Sequence, residues 1–185
     1  KETQMKTFIL KAAFLSLIAT LVGCSSETSS TTPISAEKTP EMAAVDGSSY
    51  LLDSEPEGAG NVCKVREEAA NDDDVLIVGR IGGSSNPWIE GRAAFTIVDE
   101  SLKACNDISG DNCPAPWDYC CETNKLPAST ALVKIVDESG SVVKADAKSM
   151  LGIQELSTLV IKGKAKRDEA GNLTILASAV FVKQK

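Results

Sequence analysis

The sequence predicts an all-β protein: a small Greek-key barrel of five to six strands, with one short helix and a cysteine-rich loop inserted between strands. Three observations lead there. From Val75 onward, short β-branched runs recur, each ended by glycine or an acidic turn. Only one stretch in that region has a helical pattern. Four of the six cysteines lie in one loop-like segment, "CNDISGDNCPAPWDYCC", from Cys105 to Cys121.

The elements follow in chain order. Residues 1–23 read as a signal segment. "MKTFILKAAFLSLIATLVGC" opens at Met5, has Lys6 as its positive region and continues as a mostly apolar run, Phe8 to Leu21, broken by Lys11. A stable membrane span needs about 20 apolar residues, so the run has secretory rather than spanning length. The four residues before Met5 fall outside this pattern. Leu21-Val22-Gly23-Cys24 resembles the lipobox of bacterial lipoproteins. That resemblance implies cleavage before Cys24, diacylglycerol on its sulfur and an acyl chain such as palmitate on its amine. Two or three chains make a stable anchor. The expected location is the bacterial cell envelope, with the domain facing the periplasm or the exterior. Ser25 and Ser26 carry no acidic retention signal, which slightly favours the outer membrane.

Residues 24–60 read as a lipid-anchored flexible tether. They are rich in Ser, Thr, Pro, Glu and Gly and nearly lack large apolar side chains, so burial cannot offset the entropy of ordering them. Charge divides the chain similarly. Cys24 to Asn71 carries nine acids against three bases; Asp72 to Lys185 carries sixteen against thirteen. The sequence contains no histidine. That excludes Ser-His-Asp and Cys-His catalysis and removes a common metal ligand.

Residues 61–185 are expected to form one domain around a single core. "DVLIVGRIGG", "GRAAFTIVDE" and "ALVKIVDESG" are strand runs, and "SVVKADA" follows Ser139-Gly140. "DAKSMLGIQELS" is the one expected helix, with Ala147, Met150, Leu151 and Leu156 on its apolar face. "STLVIKGKAKRDEAGNLTILASAVFVKQK" reads as a long hairpin turning at Gly171-Asn172. Three strands, a helix and two strands is the order of an OB-fold. "VLIVGRI" resembles the first OB strand, "ALVKIVDESGSVVKADA" the second and third, and "LSTLVIKGKAKRDEAGNLTILASAVFV" the closing pair. "GRAAFTIVD" competes for the second position. An insertion at about 99–129 then holds the cysteine cluster. Its Pro-Trp-Asp-Tyr-Cys segment is similar to planctomycete lipoproteins of unknown function.

With Cys24 lipidated, Cys63, Cys105, Cys113, Cys120 and Cys121 remain. In an oxidising envelope they are disulfide candidates, since a long structureless loop is unusual without staples. The expected pairing joins Cys105 to one of Cys120 and Cys121, and Cys113 to the other. Cys63 is then spare, or ties the tether's end to the loop. The alternative is a metal site of Cys105, Cys113, Cys120 and Cys121 for zinc or copper(I), or a thiol-redox centre. The first reading needs no cofactor and no metal.

Trp88, Trp117 and Tyr119 lie in loop segments and, with Asp118, form a possible binding surface. The favoured reading is that the aromatic residues pack on the disulfides as a small core beneath the loop and that Asp118 caps a turn. Lys162, Lys164 and Lys166 share a strand face that Arg167 extends, a row expected to serve solubility at a sheet edge; the domain is net acidic and no nucleic-acid partner is expected. No catalytic motif is present. The expectation is a non-enzymatic binding or scaffold module, held to the membrane by lipid, with an envelope protein or glycan as partner. The alternative is a cysteine-based handler of metal or electrons.

Overall fold

The computed structural model describes residues 45–184. The expected signal segment, Cys24 and the first part of the expected tether lie outside the described residues. Among the described residues, no helix is long and apolar enough to cross a membrane.

Among the described residues, six strands and three short α-helices make up the fold: β1 (Gly60–Asn61), α1 (Val62–Glu68), β2 (Asp74–Ile81), β3 (Ala94–Val98), α2 (Leu126–Ser129), β4 (Thr130–Ile135), α3 (Ala147–Leu151), β5 (Thr158–Arg167) and β6 (Leu173–Val182). The strands follow the order β1-β2-β3-β4-β6-β5, and β2 also pairs with β5. That last pairing closes a five-stranded mixed barrel and leaves β1 outside it. The β4–β6 pair is parallel, while β2–β5, β2–β3, β3–β4 and β5–β6 are antiparallel. This is an OB-fold-like all-β domain, the class the strand order predicts.

Alternation builds the barrel. In β5, Leu159, Ile161 and Ala165 are buried, while Lys162 and Lys164 between them are exposed. Phe95, Ile77, Ile81, Ile97, Val133, Ile135, Leu173 and Ile175 join them inside. Each large side chain so enclosed contributes roughly 1.5–3 kcal/mol. β5 carries a bulge between Lys162 and Gly163. A Cβ on Gly163 would sit 2.3 Å from the Leu176 carbonyl oxygen, so only glycine fits the bulge. The α3 helix covers the core with Ala147, Met150 and Leu151 and stops at Gly152, whose φ is +63°.

Four features differ from the sequence expectation. First, "GRAAFTIVD" supplies the second barrel strand and "ALVKIV" the third; they pair directly, with Phe95 opposite Val133. The "SVVKADA" run is not a strand, and Val142 forms only an isolated bridge to Val136. Second, two helices went unpredicted, α2 within the insertion and α1 before β2. Asn61 caps α1 by accepting from the Lys64 N–H at 2.8 Å, and Val62 and Val65 face the core. Third, residues 45–60, which composition assigns to a tether, lie on the barrel. Tyr50 packs against the core, the Leu52 N–H donates to the Val180 carbonyl at 2.8 Å, and Glu55 pairs with Lys183. One aromatic and a few backbone bonds replace the apolar run that a composition argument seeks. Fourth, the lysine row is not on a sheet edge. β5 has neighbours on both sides, and Lys164 and Lys166 form ion pairs with Asp74 and Asp72.

Candidate thiol site

The insertion leaves the barrel after Val98 and returns at Thr130, and these two residues are directly paired in the β3–β4 ladder. Asp99 closes the base. Its N–H donates to the Ser129 carbonyl at 2.9 Å, and its buried carboxylate accepts from the N–H groups of Cys63 at 2.8 Å and Ser101 at 3.0 Å. Burial alone would raise this carboxyl; the two N–H donors outweigh it and hold the group below its ordinary range.

Above the base, the loop folds on itself and onto the end of β2. The Cys105 N–H donates to the Asp118 carbonyl and the Asn106 N–H to the Pro116 carbonyl. Arg80, on β2, holds Asp107 in a two-point ion pair with distances of 2.5 and 3.2 Å. The guanidinium hydrogen bond lowers the Asp107 pKa from its ordinary value. Tyr119, Leu102, Ala104 and Val98 form a second small core, with Leu126 and Leu156 at its margin.

This placement decides the aromatic residues. Tyr119 is fully buried, so it belongs to the core beneath the loop and not to a binding surface. Its hydroxyl has no hydrogen-bond partner among the described residues, and burial pushes the phenol up to about 12. Trp117 is half-buried, and its Nε1 donates to the Ser85 carbonyl at 3.0 Å. Asp118 caps the local turn by accepting from the Tyr119 N–H. Trp88 is tilted against Phe95 with ring centres 5.8 Å apart. Its Nε1 donates to Glu155, and the Lys148 ammonium lies 5.7 Å from its ring centre. Trp117 and Trp88 thus anchor to different groups, although the Ser85 carbonyl that holds Trp117 belongs to the segment leading into Trp88.

The loop brings four of the five candidate thiols together. The sulfurs of Cys105, Cys113 and Cys120 all lie within 4.8 Å of one another, with Cys105 and Cys120 3.2 Å apart. Cys121 Sγ lies 3.9 Å from Cys120 Sγ. Cys120, Cys121 and an Asp111 carboxylate oxygen form a second group within the same 4.8 Å limit. Asp111 Oδ1 accepts from the Cys113 N–H at 3.0 Å, whereas its buried Oδ2 has no partner. Burial raises Cys105 to about 12, and its contact with Cys120 adds to the shift. Such a thiol is protonated near neutral pH and is a poor nucleophile.

Among the described residues no two sulfurs stand at the bonded separation of about 2.05 Å, so the expected disulfides are not present as bonds. Cys63 stands apart from the cluster. Its thiol donates to Ser129 Oγ at 3.4 Å, at the base of the insertion, and burial raises its pKa. Sequence reasoning missed Asp111. Its position two residues before Cys113, where its side chain caps the Cys113 N–H, was the available signal.

Fold and site together define an OB-fold-like barrel that carries a cluster of thiols in its second hairpin. No protein-family model matches the chain, and no curated protein matches it. Among solved structures, the chain is similar to the hypothetical protein ygiW from E. coli. The two are 15% identical with a TM-score of 0.36, and the match covers 69% of this chain and 94% of that one.

Proposed function

We propose that the chain is a lipid-anchored protein of the bacterial cell envelope whose barrel is a non-enzymatic module binding a thiophilic metal ion, zinc or copper(I). The anchor rests on the order of charge, apolar run and lipobox-like Leu21-Val22-Gly23-Cys24. The metal reading rests on one observation: the convergence of the Cys105, Cys113 and Cys120 sulfurs within 4.8 Å. Soft thiolates select copper(I) and zinc over hard cations. Binding would release the thiol protons, so affinity falls as pH falls.

A second reading keeps the loop as a structural staple. The 3.2 Å separation of Cys105 and Cys120 favours it, because it exceeds a bonded S–S length by only about 1.1 Å. Metal analysis and a thiol count on the full chain, purified without reductant, separate the two. Bound zinc or copper, with at least four cysteines alkylated after its removal, supports the metal reading. Two bridges, with no metal taken up after reduction, refute it in favour of the staple. Cys24→Ser should move the chain out of the membrane fraction; retention there after an alkaline wash refutes the anchor.

A further inference from the structure

The two groups of atoms that could ligate a metal overlap, and the burial of their thiols is graded. The inner group, Cys105, Cys113 and Cys120, runs from a buried through a half-buried to an exposed thiol. The outer group is Asp111, Cys120 and Cys121, whose two thiols are both exposed. Cys120 belongs to both. A buried polar oxygen without a partner is uncommon in a folded protein and calls for an explanation. Asp111 Oδ2 is such an atom, and it belongs to a residue of the outer group.

We infer that the outer group admits copper(I) and passes it to the inner group, with Cys120 as the shared ligand. This rests on the metal reading above and adds a direction to it. Three sulfurs suit the low coordination of copper(I), whereas a closed zinc site takes four ligands. The ion first binds the Cys120 and Cys121 thiolates, with the Asp111 carboxylate beside them supplying negative charge that attracts the cation. Bonds to the Cys105 and Cys113 sulfurs then form while that to Cys121 breaks. The two incoming thiols lose their protons, one to the departing Cys121 thiolate and one to solvent. Copper stays in the +1 state throughout, so the step needs no oxidant or reductant. Short sulfur separations of 3.9 Å from Cys121 to Cys120 and 3.2 Å from Cys120 to Cys105 let the ion move without leaving its ligands.

The test uses the full chain carrying Cys24→Ser, reduced and kept free of oxygen, with copper(I) supplied from a chromogenic chelator. Equilibrium competition reads affinity, and stopped-flow absorbance reads uptake rate. Cys121→Ser should slow uptake by about tenfold or more while changing equilibrium affinity by less than about threefold. Cys113→Ser should instead lower affinity by about a hundredfold or more, because it removes a direct thiolate ligand and even groups that only support a ligand contribute up to about that much. Asp111→Asn keeps an acceptor for the Cys113 N–H but removes the charge, and should behave like Cys121→Ser. Cys63→Ser should change neither quantity. If Cys121→Ser takes up copper(I) as fast as the parent chain, or loses affinity as severely as Cys113→Ser, the directional path is wrong and the metal reading stands. If the parent chain, with all five thiols free, takes up no copper(I), the path is overturned; if it takes up no zinc either, the metal reading falls with it.

Discussion

Gly82→Ala tests whether the cysteine loop is seated on the barrel. Gly82 follows β2, and its N–H donates to the Thr96 carbonyl at 3.2 Å. Its φ is not positive, so alanine meets no backbone penalty, and any cost comes from space alone. The added Cβ would lie 2.5 Å from the Trp117 carbonyl oxygen and 2.8 Å from Tyr119 Cε2. Neither neighbour can yield easily. Tyr119 is fully enclosed, and the carbonyls on either side of Trp117 are held by the Asn106 and Cys105 N–H groups. Overpacking of this kind costs about 1–3 kcal/mol. For a domain of this size, that lowers the melting temperature by roughly 3–12 °C. Thermal unfolding of the full chain reads the cost. Trp117 emission in a Trp88→Phe background reads the loop, because the sequence has only two tryptophans. The expected result is a lower Tm with red-shifted Trp117 emission. An unchanged Tm, or a lower Tm with unchanged emission, would refute the seating of the loop against β2.

Three further outcomes are expected. Tyr119→Phe should leave stability unchanged or slightly raised, because the hydroxyl it removes is buried without a partner, whereas Tyr119→Ala should cost about 3–5 kcal/mol; a loss above about 1 kcal/mol in the Phe variant, read by urea unfolding, would show that the hydroxyl is bonded after all. The Asp107 carboxyl is depressed by Arg80, so its stabilisation is present above the unfolded pKa of about 3.9 and disappears as pH falls through the lower folded value. Asp107→Asn should flatten that acid limb and cost less than about 1 kcal/mol near neutral pH, since the pair is partly exposed and screened; an acid limb of unchanged slope in denaturant titrations would count against the pair. Removing residues 45–59 should leave one cooperative transition but lower stability by roughly 1–3 kcal/mol through lost Tyr50 and Leu52 contacts, and an unchanged midpoint would mean that this segment does not rest on the barrel.

Much of the barrel was legible because its strands alternate. "VLIVGRI" announces β2, and the turn at Gly171-Asn172 announces the β5–β6 hairpin. The insertion, expected at about 99–129, runs from the end of β3 to the start of β4. What failed was the choice between "GRAAFTIVD" and "ALVKIVD" for the second strand. Both have the same local pattern, and only the pairing of Phe95 with Val133 separates them, which is a tertiary fact. The α1 helix was readable from Asn61 as its cap and the Val62–Val65 spacing, but seven residues carry only that one apolar pair, too little for a helical period to stand out. Spacing showed that the loop cysteines are close in sequence. It did not show which sulfurs meet, that Asp111 joins them, or that Cys63 faces Ser129.

The paired ends of the insertion, Val98 and Thr130, have a kinetic consequence. A hairpin is ordinarily a local contact that closes in microseconds. Here the β3–β4 hairpin must close across residues 99–129, which costs about 2 kcal/mol more loop entropy than a tight turn. A step that is local in a plain barrel becomes non-local in this one, and non-local pairing slows folding. Any link between Cys105 and Cys120, through sulfur or through a shared ion, shortens the path between the strand ends. Such a link would then set how fast the barrel closes as well as how tightly it holds.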